Sequence, residues 1–200
     1  MFSGFMKFSK PSLKRSIVTF KETTKTKDIL TPACISFLEK LHENTKYNHM
    51  EMKHKRLNKM TDFRDDTKSI RNGDWKIKPY SEYLQNRHVE LTGPGNDAKM
   101  VINALNSNAS GYMFDMEDSM SPTWYNVINA QSNMRKLCRN TLTATKKDND
   151  GNIIKEYKQN TYISKNKSPI LFLRARGLHM NETNFLVNDA QIPATLFDIG

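Results

Sequence analysis

Residues 89–124, VELTGPGNDAKMVINALNSNASGYMFDMEDSMSPTW, constrain the fold more than any other stretch of this chain. Read in order they are strand, turn, helix, strand and an acid-rich loop. Val89–Thr92 is a short β-type run that stops at Gly93-Pro94, a pair that ends strands. Asp97 can cap the helix that follows, in which Met100, Val101, Ala104 and Leu105 share one face at helical spacing. Asn106, Asn108 and Gly111 close that helix. Tyr112-Met113-Phe114 then runs directly into Asp115, Glu117, Asp118 and Ser119. Unpaired carboxylates are costly to desolvate, so packing alone does not explain a buried strand that ends in three of them. In parallel α/β folds, ligands bind at the carboxyl ends of the strands. The loop is therefore read as one wall of an active site.

A second strand ends in the same way. Pro169–Leu173 predicts a strand buried on both faces, and it leads into Arg174-Ala175-Arg176-Gly177-Leu178-His179. An arginine in a low-dielectric mouth suits a carboxylate or a developing oxyanion, because its fork donates two parallel hydrogen bonds. Equally, Arg174 or Arg176 can form a salt bridge to the acid loop, and the two readings are compatible. Between the two loops, Trp124–Leu137 predicts a helix with Trp124, Val127, Ile128, Met134 and Leu137 inward. Thr141–Thr145 and Ile153–Tyr162 predict two strands around the hairpin signal Asp148-Asn149-Asp150-Gly151. Val187-Asn188-Asp189 is a candidate turn, and Pro193–Phe197 starts a helix. Strands alternating with helices give a parallel sheet with right-handed crossovers. A closed barrel of this type needs eight strands, more than this chain supplies.

The N-terminal part is simpler. Met1–Lys21 carries no acid and several lysines and serines, which suits either a transit peptide or a disordered basic tail. Thr31-Pro32 is a helix start with a capping hydroxyl and a first-turn proline. Ile35, Leu38, Leu41 and His42 share a face, the run from Asn44 to Asn48 loosens the helix, and a second helix is expected over Asn48–Met60. Phe63–Pro79 reads as irregular, with Trp75 and Ile77 pinning it to a surface. His42, His49 and His54 lack metal-site spacing.

A net charge of +10 raises nucleic acid or an anionic membrane as a rival partner. The lysines stand singly among Asn, Thr and Ser, without an arginine-rich block or an aromatic stripe, so a solvated basic surface accounts for them. Cys34 and Cys138 have no pairing pattern, which fits a reducing compartment. No apolar run approaches the ~20 residues of a membrane-spanning helix.

VELTGP, KMVINALN and FDMEDSMSPTW resemble malate synthases of the shorter, A-type form. ILTPACISFLEKL, SIRNGDWKI, LQNRHVELTGP, FLRARGLH and ATLFDIG are similar to the same family in the same order, from about Ile29 to Gly200. The resemblance implies an α/β fold: an N-terminal helical clasp, then the first strands of a (β/α)8 TIM barrel with a β-hairpin excursion. It divides the chain into a tail or targeting segment at 1–27, clasp and linker at 28–86, and the first part of the barrel at 87–200. It implies that acetyl-CoA and glyoxylate are the partners, that malate and CoA are the products, and that Mg2+ is the cofactor, acting as a Lewis acid. Neither nucleic acid nor membrane is implied.

Residue by residue, Arg174 aligns with the family's catalytic arginine in R-x-R-G-x-H. An electrostatic role suits it, binding glyoxylate and stabilising the enolate oxygen, because arginine almost never deprotonates. Asp115 and Glu117 match acids that hold the metal's waters, and Ser119 matches a position that contacts acetyl-CoA. Asp118 is a strand-end cap or a partner of Arg176. The direct metal ligands and the aspartate that deprotonates acetyl-CoA are expected outside this sequence, which resembles the first third of a malate synthase and is expected to be truncated. A truncated, inactive fragment or a basic binding module is therefore the alternative function. The resemblance implies a peroxisomal, glyoxysomal or cytoplasmic location, and the basic N-terminus adds a mitochondrial one. Four departures stand out. The segment PGNDA after Gly93 is one residue longer than usual, Met180-Asn181 replaces Leu-Pro, and Ala130 and Asn140 occupy positions where the family favours glycine.

Overall fold

The computed structural model describes residues 17–57, 62–159 and 169–200, leaving aside the side chains of 46–50, 52, 53 and 55–57. In chain order the elements are β1 (Val18–Phe20), α1 (Thr26–Ile29), α2 (Pro32–Leu57), α3 (Lys68–Arg71), β2 (Glu90–Pro94), α4 (Ala98–Leu105), β3 (Gly111–Asp115), α5 (Trp124–Cys138), β4 (Thr143–Lys147), β5 (Ile153–Lys158), β6 (Ile170–Arg174), β7 (Asn181–Val187), β8 (Ala190–Pro193) and α6 (Ala194–Ile199). The protein is a mixed helix-and-strand fold of the α/β kind, and the described residues form no closed barrel.

The strands β2, β3 and β6 lie parallel in that order. Cα partners across a parallel ladder share a face. Leu91, Tyr112 and Leu171 therefore lie on one face with Gly93, Phe114 and Leu173, while Asp115 and Arg174, which are partners, lie together on the other. The central strand β3 is buried along most of its length. Leu171 and Leu173 of β6 are exposed, contrary to the expectation of a strand buried on both faces. Among the described residues β6 has a strand neighbour on one side only, which leaves those side chains uncovered. Strand β2, expected to stop at Gly93-Pro94, also runs on through Gly93 to Pro94. It is an edge strand, where proline's missing N–H costs no ladder bond.

Helix α4 begins where expected, with Asp97 accepting a hydrogen bond from the Met100 N–H at 2.9 Å. Its buried face is Val101, Ile102 and Leu105, so Ile102 takes the place expected for Met100, which is exposed. Asp97→Ala should cost about 1 kcal/mol, as loss of an N-cap does. Urea denaturation monitored by circular dichroism measures it, and an unchanged midpoint refutes the capping role. The turn before α4 packs tightly: a Cβ on Gly95 would sit 2.2 Å from Phe114 Cε1, so only glycine fits there.

Helix α5 is capped by Thr123, which accepts from the Asn126 N–H. Trp124, Val127, Ile128 and Leu137 are buried as expected, and Met134 is half-buried. The hairpin β4–β5 turns through Gly151 at φ +87°, with Asp148 accepting from the backbone of Asp150 and Asn152. The expected end of its second strand, Tyr162, lies outside the described residues. Asn140 has φ +54°, a left-handed conformation that asparagine tolerates better than most residues. That explains how it stands where the resembled family favours glycine.

A second sheet, β1-β7-β8, is antiparallel, and of it the sequence signals only the turn at Asn188 and Asp189, both at positive φ. Val18–Phe20 pairs with Val187–Phe185, so residues 17–27, read with the tail, include a strand and the buried Thr26. The rest of that tail, 1–16, lies outside the described residues. Phe20 stacks on Phe185, which in turn packs on Phe197, and Phe197 on Trp124. These rings join the second sheet to α5 and α6.

At the other end of the fold, α2 starts at Pro32 with Thr31 accepting from the Cys34 N–H, and Leu38 and His42 are buried. It continues unbroken across Asn44–Asn48, correcting the expected break. Asparagine costs only about 0.7 kcal/mol in a helix, which neighbouring good formers outweigh. The expected end at Met60 lies outside the described residues. Trp75 and Ile77 are exposed rather than pinned, and the Trp75 indole donates to the Ile70 carbonyl at 2.7 Å. No helix among the described residues is long and apolar enough to cross a membrane.

Candidate active site

The acid loop leaves β3 at Asp115, whose side chain is fully buried. Its Oδ1 accepts from the N–H groups of Glu117 (2.8 Å) and Asp118 (3.2 Å). Its Oδ2 accepts from the Ser119 N–H (3.1 Å) and the Ser119 hydroxyl (2.7 Å). Asp115 thus folds the loop around itself. Burial alone would raise its pKa, but the donors of Glu117, Ser119 and Asp118, followed by the charge of Arg174, hold it below the ordinary carboxyl value. A group whose pKa is lower folded than unfolded gives stability that is present above the unfolded value, about 4, and lost as pH falls through the folded value. Asp115→Asn should therefore destabilise the protein at neutral pH and flatten its acid limb below about pH 4. Unfolding midpoints measured from pH 2 to 7 check this, and parallel wild-type and variant curves refute it.

Arg174 ends β6 beside Asp115, as the ladder register requires. Its Nε donates to Glu117 Oε2 at 3.1 Å, its Nη2 donates to Asp118, and its Nη1 lies 3.8 Å from Asp115 Oδ2. The arginine is 38% exposed and Asp118 67%, so the outermost pair is the one open to water. Burial lowers the Arg174 pKa, but Asp118, Asp115 and Glu117 together hold it above the ordinary value, so the group stays charged. The expected union of acid and basic loops is present, through Arg174.

Glu117 bridges the loops. One oxygen holds Arg174 Nε, and the other accepts from the Gly177 N–H at 3.1 Å. Ser119 and His179 are exposed. Arg176 does not join this cluster, which corrects its suggested pairing with Asp118. It is 2% exposed and lies between Glu182 of β7 (2.9 Å) and Asp198 of α6 (2.7 Å). Glu182 and Asp198 escaped sequence reasoning. A buried acid inside a strand, or in the last turn of a short helix, has no local signature.

No group of three or more His, Cys, Asp or Glu side chains among the described residues is placed to hold a metal ion. A cleft of about 400 Å³ opens on the opposite face of β6, lined by Leu30, Cys34, Leu38, Met116, Leu173 and Phe197. Asp28, Gln131, Arg135 and Asp198 also line it, whereas Arg174 and Glu117 do not.

No family model matches the chain. Malate synthase of Myxococcus xanthus (strain DK1622) is 36% identical over 181 residues, covering 86% of this chain and 31% of that protein. Malate synthase A of Escherichia coli (strain K12) is 36% identical over 180 residues, covering 86% of this chain and 32% of that protein. The glyoxysomal malate synthase of Candida tropicalis is 33% identical over 182 residues, with 86% and 31% covered. These names give no support to a mitochondrial location. The chain spans about a third of the length of these curated relatives. By this similarity the chain is a homologue of about a third of a malate synthase.

Proposed function

We propose that the chain is the N-terminal portion of a malate synthase, which condenses acetyl-CoA with glyoxylate and water to give malate and CoA. The observation that carries this reading is the Asp115–Glu117–Arg174 cluster at two adjacent strand ends, in a chain homologous to malate synthases. β2, β3 and β6 are then the first strands of a (β/α)8 barrel over residues 87–200, with clasp and linker at 28–86 and a tail at 1–27. The glyoxysomal relative favours a glyoxysomal or peroxisomal location.

Arg174 binds the glyoxylate carboxylate and stabilises negative charge on the enolate oxygen. Asp118 is its most exposed partner, and exposed ion pairs are weak, so the substrate carboxylate displaces that one at little cost. Glu117 keeps Nε and hence the plane of the fork. Ser119, with its hydroxyl donating to Asp115, is assigned to acetyl-CoA. The hard oxygen donors of Asp115 and Glu117 suit Mg2+ chemically. Both already accept protein hydrogen bonds, so they fit holding the ion through its waters. When bound, Mg2+ supplies Lewis-acid polarisation of the aldehyde.

The product of the complete reading frame should release thiol from acetyl-CoA only when glyoxylate and Mg2+ are both present. A folded product that releases none refutes the assignment.

A further inference from the structure

We infer that Arg176 and Asp198 are positioning residues that fix the orientation of Arg174 from behind. Their value to catalysis rests on the proposed function, whereas the geometry does not.

Arg176 is tied at every polar group. Its N–H donates to Asp198 Oδ2 at 2.9 Å, and its carbonyl accepts from the Thr195 hydroxyl. Its guanidinium donates to Asp198 through Nε (3.0 Å) and Nη2 (2.7 Å), and to Glu182 through Nη1 (2.9 Å). Helix α6 therefore holds the backbone of residue 176 from both sides, and β7 holds the far end of its side chain. The next residue is Gly177, whose N–H donates to Glu117 Oε1. The other oxygen of Glu117 takes Arg174 Nε. The line from α6 to Arg174 is thus a run of hydrogen bonds with one peptide link in it.

Arg174 needs such a line. A half-exposed arginine side chain keeps much of its rotamer freedom, and its pair with the exposed Asp118 is too weak to remove it. The bond to Glu117 can, because Glu117 is itself held by the Gly177 N–H. There is no slack at that step: a Cβ on Gly177 would lie 2.9 Å from Glu117 Oε1 and 2.5 Å from the His179 ring.

The test reads Arg174 directly. In protein labelled with [15N]arginine, the Arg174 Nε–H resonance, assigned by its loss in Arg174→Lys, should exchange slowly with solvent. Asp198→Asn and the milder, nearly isosteric Thr195→Val should each speed that exchange by about tenfold, while the Phe114 amide in β3 changes by less than about twofold. In the catalytic protein the same variants should lower kcat and leave KM for acetyl-CoA unchanged. Unchanged Arg174 exchange in both variants overturns the inference. So does exchange that rises only in step with Phe114, or a wild-type Nε–H without protection. If the wild type releases no thiol, the proposed function fails, and the exchange measurements still decide the positioning role.

Discussion

Arg174→Lys should lower turnover by about 10²-fold or more, the loss seen when an enzyme is deprived of one oxyanion donor. Lysine keeps the charge but not the fork. In this structure the fork has three tasks: Nε on Glu117, Nη2 on Asp118 and Nη1 toward Asp115. A single ammonium cannot meet Glu117 and present two parallel donors to a substrate carboxylate. Stability should change little, because lysine keeps a positive charge beside the buried Asp115, and the exposed pair with Asp118 contributes only about 0–1 kcal/mol. Steady-state thiol release with glyoxylate varied, run beside thermal unfolding, separates the two effects. A loss smaller than about tenfold would show that charge alone suffices.

Arg176→Leu should act first on the fold, destabilising it by about 3–5 kcal/mol, the usual consequence of stranding buried charge. Glu182 and Asp198 would face each other across an apolar side chain with no cation between them. Adding Glu182→Leu to that variant should recover part of the loss, since removing both members of a buried pair is far milder than removing one. Asp198 must stay, because it also accepts from the backbone N–H of residue 176. Urea midpoints of the single and double variants are the measurement. A single variant within about 1 kcal/mol of wild type would mean that water reaches the cluster and screens it.

The sequence made local features legible. Asp97 before an apolar helix, Asp148–Gly151 between two strands and the acid run after Tyr112-Met113-Phe114 each signal through neighbours a few residues apart. The features it hid depend on distant partners. β7, with the sequence NETNFLV, opens with two asparagines and a glutamate among its first four residues, which disfavour a strand, and its pairing with β8 shifts register between Glu182 and Leu186, which spoils any alternation. Three residues such as Val18–Phe20 carry no strand signal until β7 is beside them. Buried Asn129 and Asn133 look like surface positions on a helix. Only the fold shows that Lys25 donates to Asn129 and that Asn133 donates to the Gly95 carbonyl. At the candidate site, the union of Asp115 and Arg174 followed from two strand ends in one parallel sheet. Arg176 was separable from Arg174 only once α6 was in place.

The link between β1 and β7 also sets a clock. Ile17 and Asn188, which share a hydrogen bond, are 171 residues apart. A ribosome adding about 5–20 residues per second needs roughly ten to thirty seconds to deliver the second after the first. Trp124, whose indole donates to the Lys21 carbonyl, emerges well before then. The leading strand can therefore meet α5 before its sheet partner exists, and Phe20 lacks its stacking partner until Phe185 arrives. Nascent chains arrested after α5 should be cut by protease at Phe20, and chains arrested well beyond α6 should resist. Equal cutting at both lengths would mean that Phe185 does not protect Phe20.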